Sequence, residues 1–144
     1  MKLDKAVVLV KKASLESDKI CGTVLAEYDL TPSQYKVLKL IYTDAEKGTR
    51  IKDLETYYSM SHPTAIGIVQ NLEKKDLVRY RENPDDHRSH LIVPSEKALQ
   101  EQQELEDIGT ILEDKFTQRL NEKERKQLVS LLRKLMGLKG DYSI

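Results

Sequence analysis

Residues 61–88 constrain the fold more than any other stretch. They read SHPTAIGIVQNLEKKDLVRYRENPDDHR. Ser61 can cap a helix, and Pro63 is tolerated in a first turn, where amide donors have no helical partner anyway. Ala65, Ile68, Val69 and Leu72 recur at helical spacing and define an inner face of a helix running to about residue 75. His62, Pro63, Ile66, Gly67, Gln70 and Lys74 fall on the outer face. Residues 77–82 then alternate as a strand, with Val78 and Tyr80 on one side and Arg79 and Arg81 on the other. Asn83-Pro84-Asp85-Asp86 is turn chemistry, and residues 91–93 form a second strand. The order is turn, helix, strand, polar hairpin tip, strand.

The flanking chain is helical. Residues 4–28 read as one long helix. Leu3, Val7, Val10, Ser14, Ser17, Cys21, Val24 and Tyr28 recur at alternating spacings of four and three, a seam that one helix cannot bury alone. Thr31, Pro32 and Gln34 supply a cap, a first-position proline and a capping-box partner. The helix they start runs to about residue 43 and buries Tyr35, Leu38, Ile41 and Tyr42. A charged turn with Gly48 precedes a short helix, about 51–58, with Leu54 inward. Ser95 caps a long helix to about residue 120, buried through Leu105, Ile108, Leu112 and Phe116. Asn121 and Glu124 start a last helix that buries Leu128, Leu131, Leu132 and Leu135 and ends near Gly137, before a short tail at 140–144.

The expected architecture is mainly α with a small β-wing. A winged helix-turn-helix lobe over about 30–98 is flanked by long helices at about 1–29 and 96–138, in one domain of 144 residues. An outer helix face held rigid by buried inner helices fits the major groove of duplex DNA, and a hairpin tip can reach the neighbouring minor groove.

Charge and cysteine content narrow the function. The chain carries 24 basic and 24 acidic residues, and its lobe, Leu30 to Ala98, holds 11 Lys/Arg against 10 Asp/Glu. Sequence-blind nucleic-acid binders are usually basic, because neutralised phosphates release counterions. This balance argues against such a binder, but not against a dimer with a few well-aimed contacts. No apolar run approaches the ~20 residues of a membrane helix, and the N-terminal stretch returns to charge too soon for a signal peptide. One Cys fits a reducing, cytoplasmic setting. No nucleophile–base arrangement or phosphate-cradling glycine loop supports an enzyme.

The sequence resembles the multiple-antibiotic-resistance regulator family, MarR. The carriers are Leu30-Thr31-Pro32-Ser33-Gln34-Tyr35 with Val37-Leu38, Leu72-Glu73-Lys74-Lys75-Asp76-Leu77-Val78, Asn83-Pro84-Asp85-Asp86-His87-Arg88-Ser89 and Ser95-Glu96-Lys97. The resemblance implies a homodimer joined through its terminal helices, a pseudo-palindromic operator in double-stranded DNA, repression, and release by a small aromatic ligand between the dimer helices and the lobe. It also implies that Asp86 orients Arg88 and that Arg88 enters the minor groove. Gly67, Asn71 and His87 depart from the pattern by standing where basic residues are common. No Lys or Arg occurs from Ser61 to Glu73. Phosphate contacts then shift to Arg50, Lys52, Lys74, Lys75 and the wing.

The expected DNA-contacting set is Ser61, His62, Pro63, Thr64, Ile66, Gly67, Gln70, Lys74, Asp86, His87 and Arg88. Gln70 has the amide needed for a bidentate pair with adenine, Ile66 can touch a thymine methyl, and Gly67 allows close backbone approach. Ser61, His62 and Thr64 suit phosphates at a helix N-terminus. The plain alternatives are a solvated helix face and, for Asp86 with Arg88, a weak surface ion pair. Cys21 lies on the apolar seam and reads as structural. His62, His87 and His90 lack metal-ligand spacing, so neither a metal nor another cofactor is expected. Tyr28, Tyr35, Tyr42, Tyr57 and Tyr58 can line a ligand pocket or simply fill core. Glu101, Glu104, Glu106 and Asp107 read as a solvated face. The competing function is a winged-helix dimer that serves as a protein-interaction module and has lost DNA binding.

Overall fold

The computed structural model describes residues 4–139. Leu3 of the expected seam and the tail at 140–144 lie outside the described residues. The elements are α1 (Ala6–Ala26), α2 (Pro32–Thr43), α3 (Ile51–Tyr58), α4 (His62–Lys74), β1 (Val78–Glu82), β2 (His90–Pro94), α5 (Glu96–Gln100), α6 (Gln102–Phe116) and α7 (Glu122–Leu135). Mainly helical, with one antiparallel hairpin, this is the expected fold class. No helix among the described residues is long and apolar enough to cross a membrane.

Local chemistry sets the helix starts. Thr31 Oγ1 accepts the Gln34 N–H at 3.1 Å while Gln34 Oε1 accepts the Thr31 N–H at 3.2 Å. Asn121 and Glu124 make the same reciprocal pair at 2.8 and 3.0 Å. Each pair satisfies two amides that the helix leaves orphaned. Ser61 caps α4 by accepting the Thr64 N–H, and Asp53 caps α3 by accepting the Arg50 N–H.

The core lies where α2, α3, α4 and β2 converge. Val37, Leu38, Ile41, Leu54, Ala65, Val69, Leu72 and Ile92 are fully buried. Each large side chain among them contributes roughly 1.5–3 kcal/mol by leaving water. α2 packs on α4 and β2, α3 on α4, and α1 on α6 and α2. Burial on α4 follows the expected inner face, except that Ile68 is only half-buried.

The hairpin pairs Val78 with Pro94, Tyr80 with Ile92 and Glu82 with His90. Thr49 adds an isolated bridge to the other edge of β2, exchanging bonds with Ile92 at 2.9 and 2.7 Å. β2 therefore has partners on both edges and buries Leu91, Ile92, Val93 and Pro94 in succession instead of alternating. Gly48 makes this approach possible. Its φ is +87°, and a Cβ there would lie 2.7 Å from Leu91 Cβ. On β1, Val78 is buried but Tyr80 is exposed. Arg81 turns inward and donates to the Glu46 and Lys47 carbonyls at 3.0 and 2.8 Å, pinning the α2–α3 turn.

Three expectations about the terminal helices are corrected. The helix expected from Ser95 to about 120 is broken at Glu101 into α5 and α6. There the Ala98 carbonyl accepts the Glu101 N–H in a tighter turn and also accepts the Tyr42 hydroxyl. The Glu101 N–H is shared with the Lys97 carbonyl at 3.1 Å, and Glu101 itself departs from helical geometry, at φ −94° and ψ 7°. Burial of Leu128, Leu131, Leu132 and Leu135 is not seen within one chain. Leu128 is half-buried, Leu131 and Leu135 are each 65% exposed, and α7 has no buried residue. On α1, Val7, Leu9, Val10 and Leu15 are exposed, while Val24 and Leu25 are buried. Phe116 is likewise at the surface rather than buried.

Candidate nucleic-acid interface

The outer face of α4 is built from its N-terminus onward. Ser61, His62, Pro63, Thr64, Gln70 and Lys74 are exposed, whereas Ile66 and Gly67 are half-buried. Ile66 is therefore less available than the sequence alone suggests. A Cβ on Gly67 would meet nothing within 4 Å, so no neighbour in the chain requires glycine there. His62 Nδ1 lies 3.2 Å from the Glu55 carboxylate, which ties the start of α4 to α3. The exposed start of α4 directs backbone N–H groups outward, a geometry that suits phosphate oxygens.

The hairpin tip is held by its own side chains. Asn83 Oδ1 accepts the Asp85 N–H at 3.0 Å, and Asn83 Nδ2 donates to Ser89 Oγ at 3.0 Å. Asp86 Oδ1 accepts the Arg88 N–H at 3.0 Å. His87 Nδ1 lies 2.6 Å from Glu82 Oε1. Asp86, His87 and Arg88 are all exposed. Asp86 engages the Arg88 backbone, so the guanidinium projects from an ordered loop.

Two of the cations expected to take over phosphate contacts, Arg50 and Lys75, are arranged differently. Arg50 makes a 2.9 Å ion pair with Asp53. The Asp53 carboxyl is held below the usual carboxylate range, chiefly by the hydrogen bond from Arg50. Lys75 is turned inward: its Nζ donates to the Asp29 carbonyl and, at 2.9 Å, to Gln34 Oε1. Its ammonium is thereby engaged by the α1–α2 corner. Lys36 lies over the Tyr58 ring at 4.8 Å. Lys52 and Lys74 remain exposed.

A cavity of about 590 Å³ opens between α2 and α6, lined by Tyr35, Lys39, Tyr42, Leu105, Gly109 and Glu113 among others. A smaller one of about 280 Å³ shares Tyr35, Lys39, Gly109 and Glu113 with it and reaches Ser17, Ile20, Cys21 and Phe116. The Tyr35 hydroxyl is buried and has no hydrogen-bond partner among the described residues. A Cβ on Gly109 would lie 3.2 Å from that oxygen, so the glycine makes room for it. Burial raises the Tyr35 pKa. Of the five tyrosines considered as a lining, only Tyr35 and Tyr42 line these cavities. Tyr28 packs against the core, and Tyr57 and Tyr58 meet edge to face, with centroids 4.9 Å apart. Sequence reasoning missed Gly109, whose position inside a helical pattern was the available signal. It also missed Lys39, which nothing in the pattern distinguishes.

The MarR family model matches residues 28–89, the span from the end of the first helix to the hairpin tip. A search of curated proteins finds no match. Among solved structures, a cysteine-to-serine mutant of MarR from E. coli is 22% identical, with TM-score 0.81, covering 94% of this chain and 99% of that one. The same mutant complexed with operator DNA is 23% identical, with TM-score 0.75 and coverages of 88% and 90%. The S. aureus MepR–DNA complex is 22% identical, with TM-score 0.76 and coverages of 92% and 97%. The matched span holds the capped α2, the inner face of α4 and the knitted hairpin tip, so residues 28–89 are similar to the MarR family and the chain shares the winged helix-turn-helix fold of these solved structures.

Proposed function

We propose that the chain represses transcription as a homodimer on a pseudo-palindromic operator, with α4 in the major groove and the wing in the minor groove. In this reading Ser61, His62, Pro63 and Thr64 meet phosphates. Ile66, Gly67 and Gln70 face bases, and Lys74, Asp86, His87 and Arg88 hold the adjoining backbone and minor groove. The observation that carries it is the wing tip: Asp86 orders the Arg88 backbone while the side chain stays exposed. The operator DNA in the similar MarR structure and the DNA in the MepR complex support a duplex as partner.

Dimerisation is supported by uncovered apolar surface. Val7, Leu9, Val10 and Leu15 on α1, and Leu131, Leu132 and Leu135 on α7, are exposed, with Met136 and Leu138 following. Apolar surface on two long helices marks an association face more often than a solvated one. The domain organisation follows: one unit with a DNA lobe over about 30–98, clasped through helices at about 1–29 and 96–138. The larger cavity, with its orphaned Tyr35 hydroxyl and Tyr42, suits a small aromatic effector bearing a hydrogen-bonding group.

Selection of bound sequences from random duplexes tests this reading. A palindromic consensus is expected, with half-sites about 34–36 Å apart. The second reading, an interaction module without DNA binding, is favoured by the absence of Lys and Arg from Ser61 to Glu73 and by the inward turn of Lys75. A selection that enriches nothing at about 50 mM salt establishes the second reading over the first.

A further inference from the structure

The Lys75 ammonium lies at the meeting point of three segments distant in sequence. Lys75 is the C-cap residue of α4. Its Nζ donates to the carbonyl of Asp29, 46 residues away, and to Gln34 Oε1, 41 residues away, at 2.9 Å. The Asp29 carboxylate lies 3.8 Å off. Asp29 closes α1 in the left-handed conformation, at φ +55°, so the cation sits where the carbonyl ends of that helix gather. Gln34 is 8% exposed and also accepts the Thr31 N–H. On the other side, the Lys75 carbonyl accepts from Lys97 Nζ at 3.4 Å, and the next carbonyl, of Asp76, accepts from Ser95 Oγ at 2.6 Å. The end of α4 is thereby tied to the α1–α2 corner and to the start of α5.

The apolar inner face packs α4 closely into the lobe, and polar contacts at its C-terminal end add a directional constraint. Charge-assisted hydrogen bonds are directional and stronger than neutral ones. We propose that Lys75 is a positioning residue for DNA binding: without touching DNA, it sets the orientation of α4 against the α1–α2 corner. The proposal rests on the DNA-binding reading above. It separates Lys75 from its neighbour Lys74, which is exposed and free to meet a phosphate.

The test compares Lys75→Met, Lys75→Arg and Lys74→Met in the full chain. Each is titrated against the selected operator between about 50 and about 200 mM salt. Lys75→Met is expected to weaken binding by about tenfold, the scale of one charge-assisted hydrogen bond, with the slope of log affinity against log salt unchanged. Lys74→Met should lower that slope by about one. Lys75→Arg keeps a cation beside the same acceptors and should recover most of the affinity. Combining Lys75→Met with Gln34→Met should cost less than the sum of the two alone. Unchanged affinity in Lys75→Met, or a slope lowered by about one, overturns the proposal. A wild-type chain that binds no duplex defeats the DNA reading instead. Amide exchange in the free protein still decides the latch in that case. Faster exchange over residues 62–74 and 29–34 in Lys75→Met, but not in Lys74→Met, supports it, and equal exchange in the two removes it.

Discussion

Asp86 Oδ1 accepts the backbone N–H of Arg88 at 3.0 Å, so the carboxylate orders the loop rather than neutralising the guanidinium. The Arg88 side chain is exposed at the hairpin tip and has no ion pair among the described residues. Arg88→Ala should weaken operator binding at least tenfold and lower the salt slope by about one, with an unchanged melting temperature. Asp86→Ala removes the ordering bond together with one negative charge and should weaken binding less than Arg88→Ala. Equal affinity for wild type and Arg88→Ala in a titration would take the wing out of the mechanism.

Gln70 is exposed on the outer face of α4 and carries both a donor and an acceptor. Gln70→Ala should relax preference at one operator position by ~1–3 kcal/mol. Repeating the sequence selection with this variant checks it; an identical consensus would count against base reading by this residue.

Gly48 and Gly67 should respond in opposite ways to alanine. At Gly48 the positive φ and the 2.7 Å approach of Leu91 Cβ leave no room, so stability should fall by about 1–3 kcal/mol. At Gly67 a Cβ meets open space inside a helix, so stability should rise by roughly 0.5–1 kcal/mol. If the DNA backbone or bases approach Gly67 closely, the same change weakens binding. Denaturation and DNA titration of both variants resolve the contrast.

The Tyr35 and Tyr42 hydroxyls differ in whether they have a partner. Tyr35→Phe removes a buried unpaired oxygen and should leave stability equal or higher, whereas Tyr42→Phe loses the bond to the Ala98 carbonyl and should cost ~1 kcal/mol. Burial, with a smaller contribution from Glu101, pushes the Tyr42 pKa up to about 12 from 10.0. Between those values the unfolded chain has lost the phenolic proton and the folded chain retains it. The stability Tyr42 contributes is therefore full below pH 10 and lost as pH rises through about 12. Alkaline melting curves of wild type and Tyr42→Phe should converge across that window.

The exposed leucines of α7 predict the assembly state. Leu131→Glu with Leu135→Glu should turn a dimer into monomers in analytical ultracentrifugation and abolish tight operator binding. A wild type that sediments as a monomer at micromolar concentration would refute the clasp.

Local rules carried far in this chain. The capping pairs Thr31 with Gln34 and Asn121 with Glu124, the short α3, the inner face of α4 and the turn at Asn83 depend on neighbours within four residues. Hydrophobic period and turn chemistry express those directly, so element order and the candidate interface were legible. What depended on distant partners was not. The Tyr42 hydroxyl reaches the Ala98 carbonyl beside the α5–α6 break, and no pattern near Glu101 announces a contact from another helix.

The sequence by itself determined that a capped helix with one apolar face would precede a polar hairpin, because backbone geometry and burial period are properties of adjacent residues. Only the tertiary structure decided how individual charges are used. Lys74 and Lys75 are the same residue type at consecutive positions, yet one faces solvent and the other is bound to Asp29 and Gln34. A long side chain takes whichever acceptors the folded chain brings within reach, and those are chosen by packing across more than forty residues.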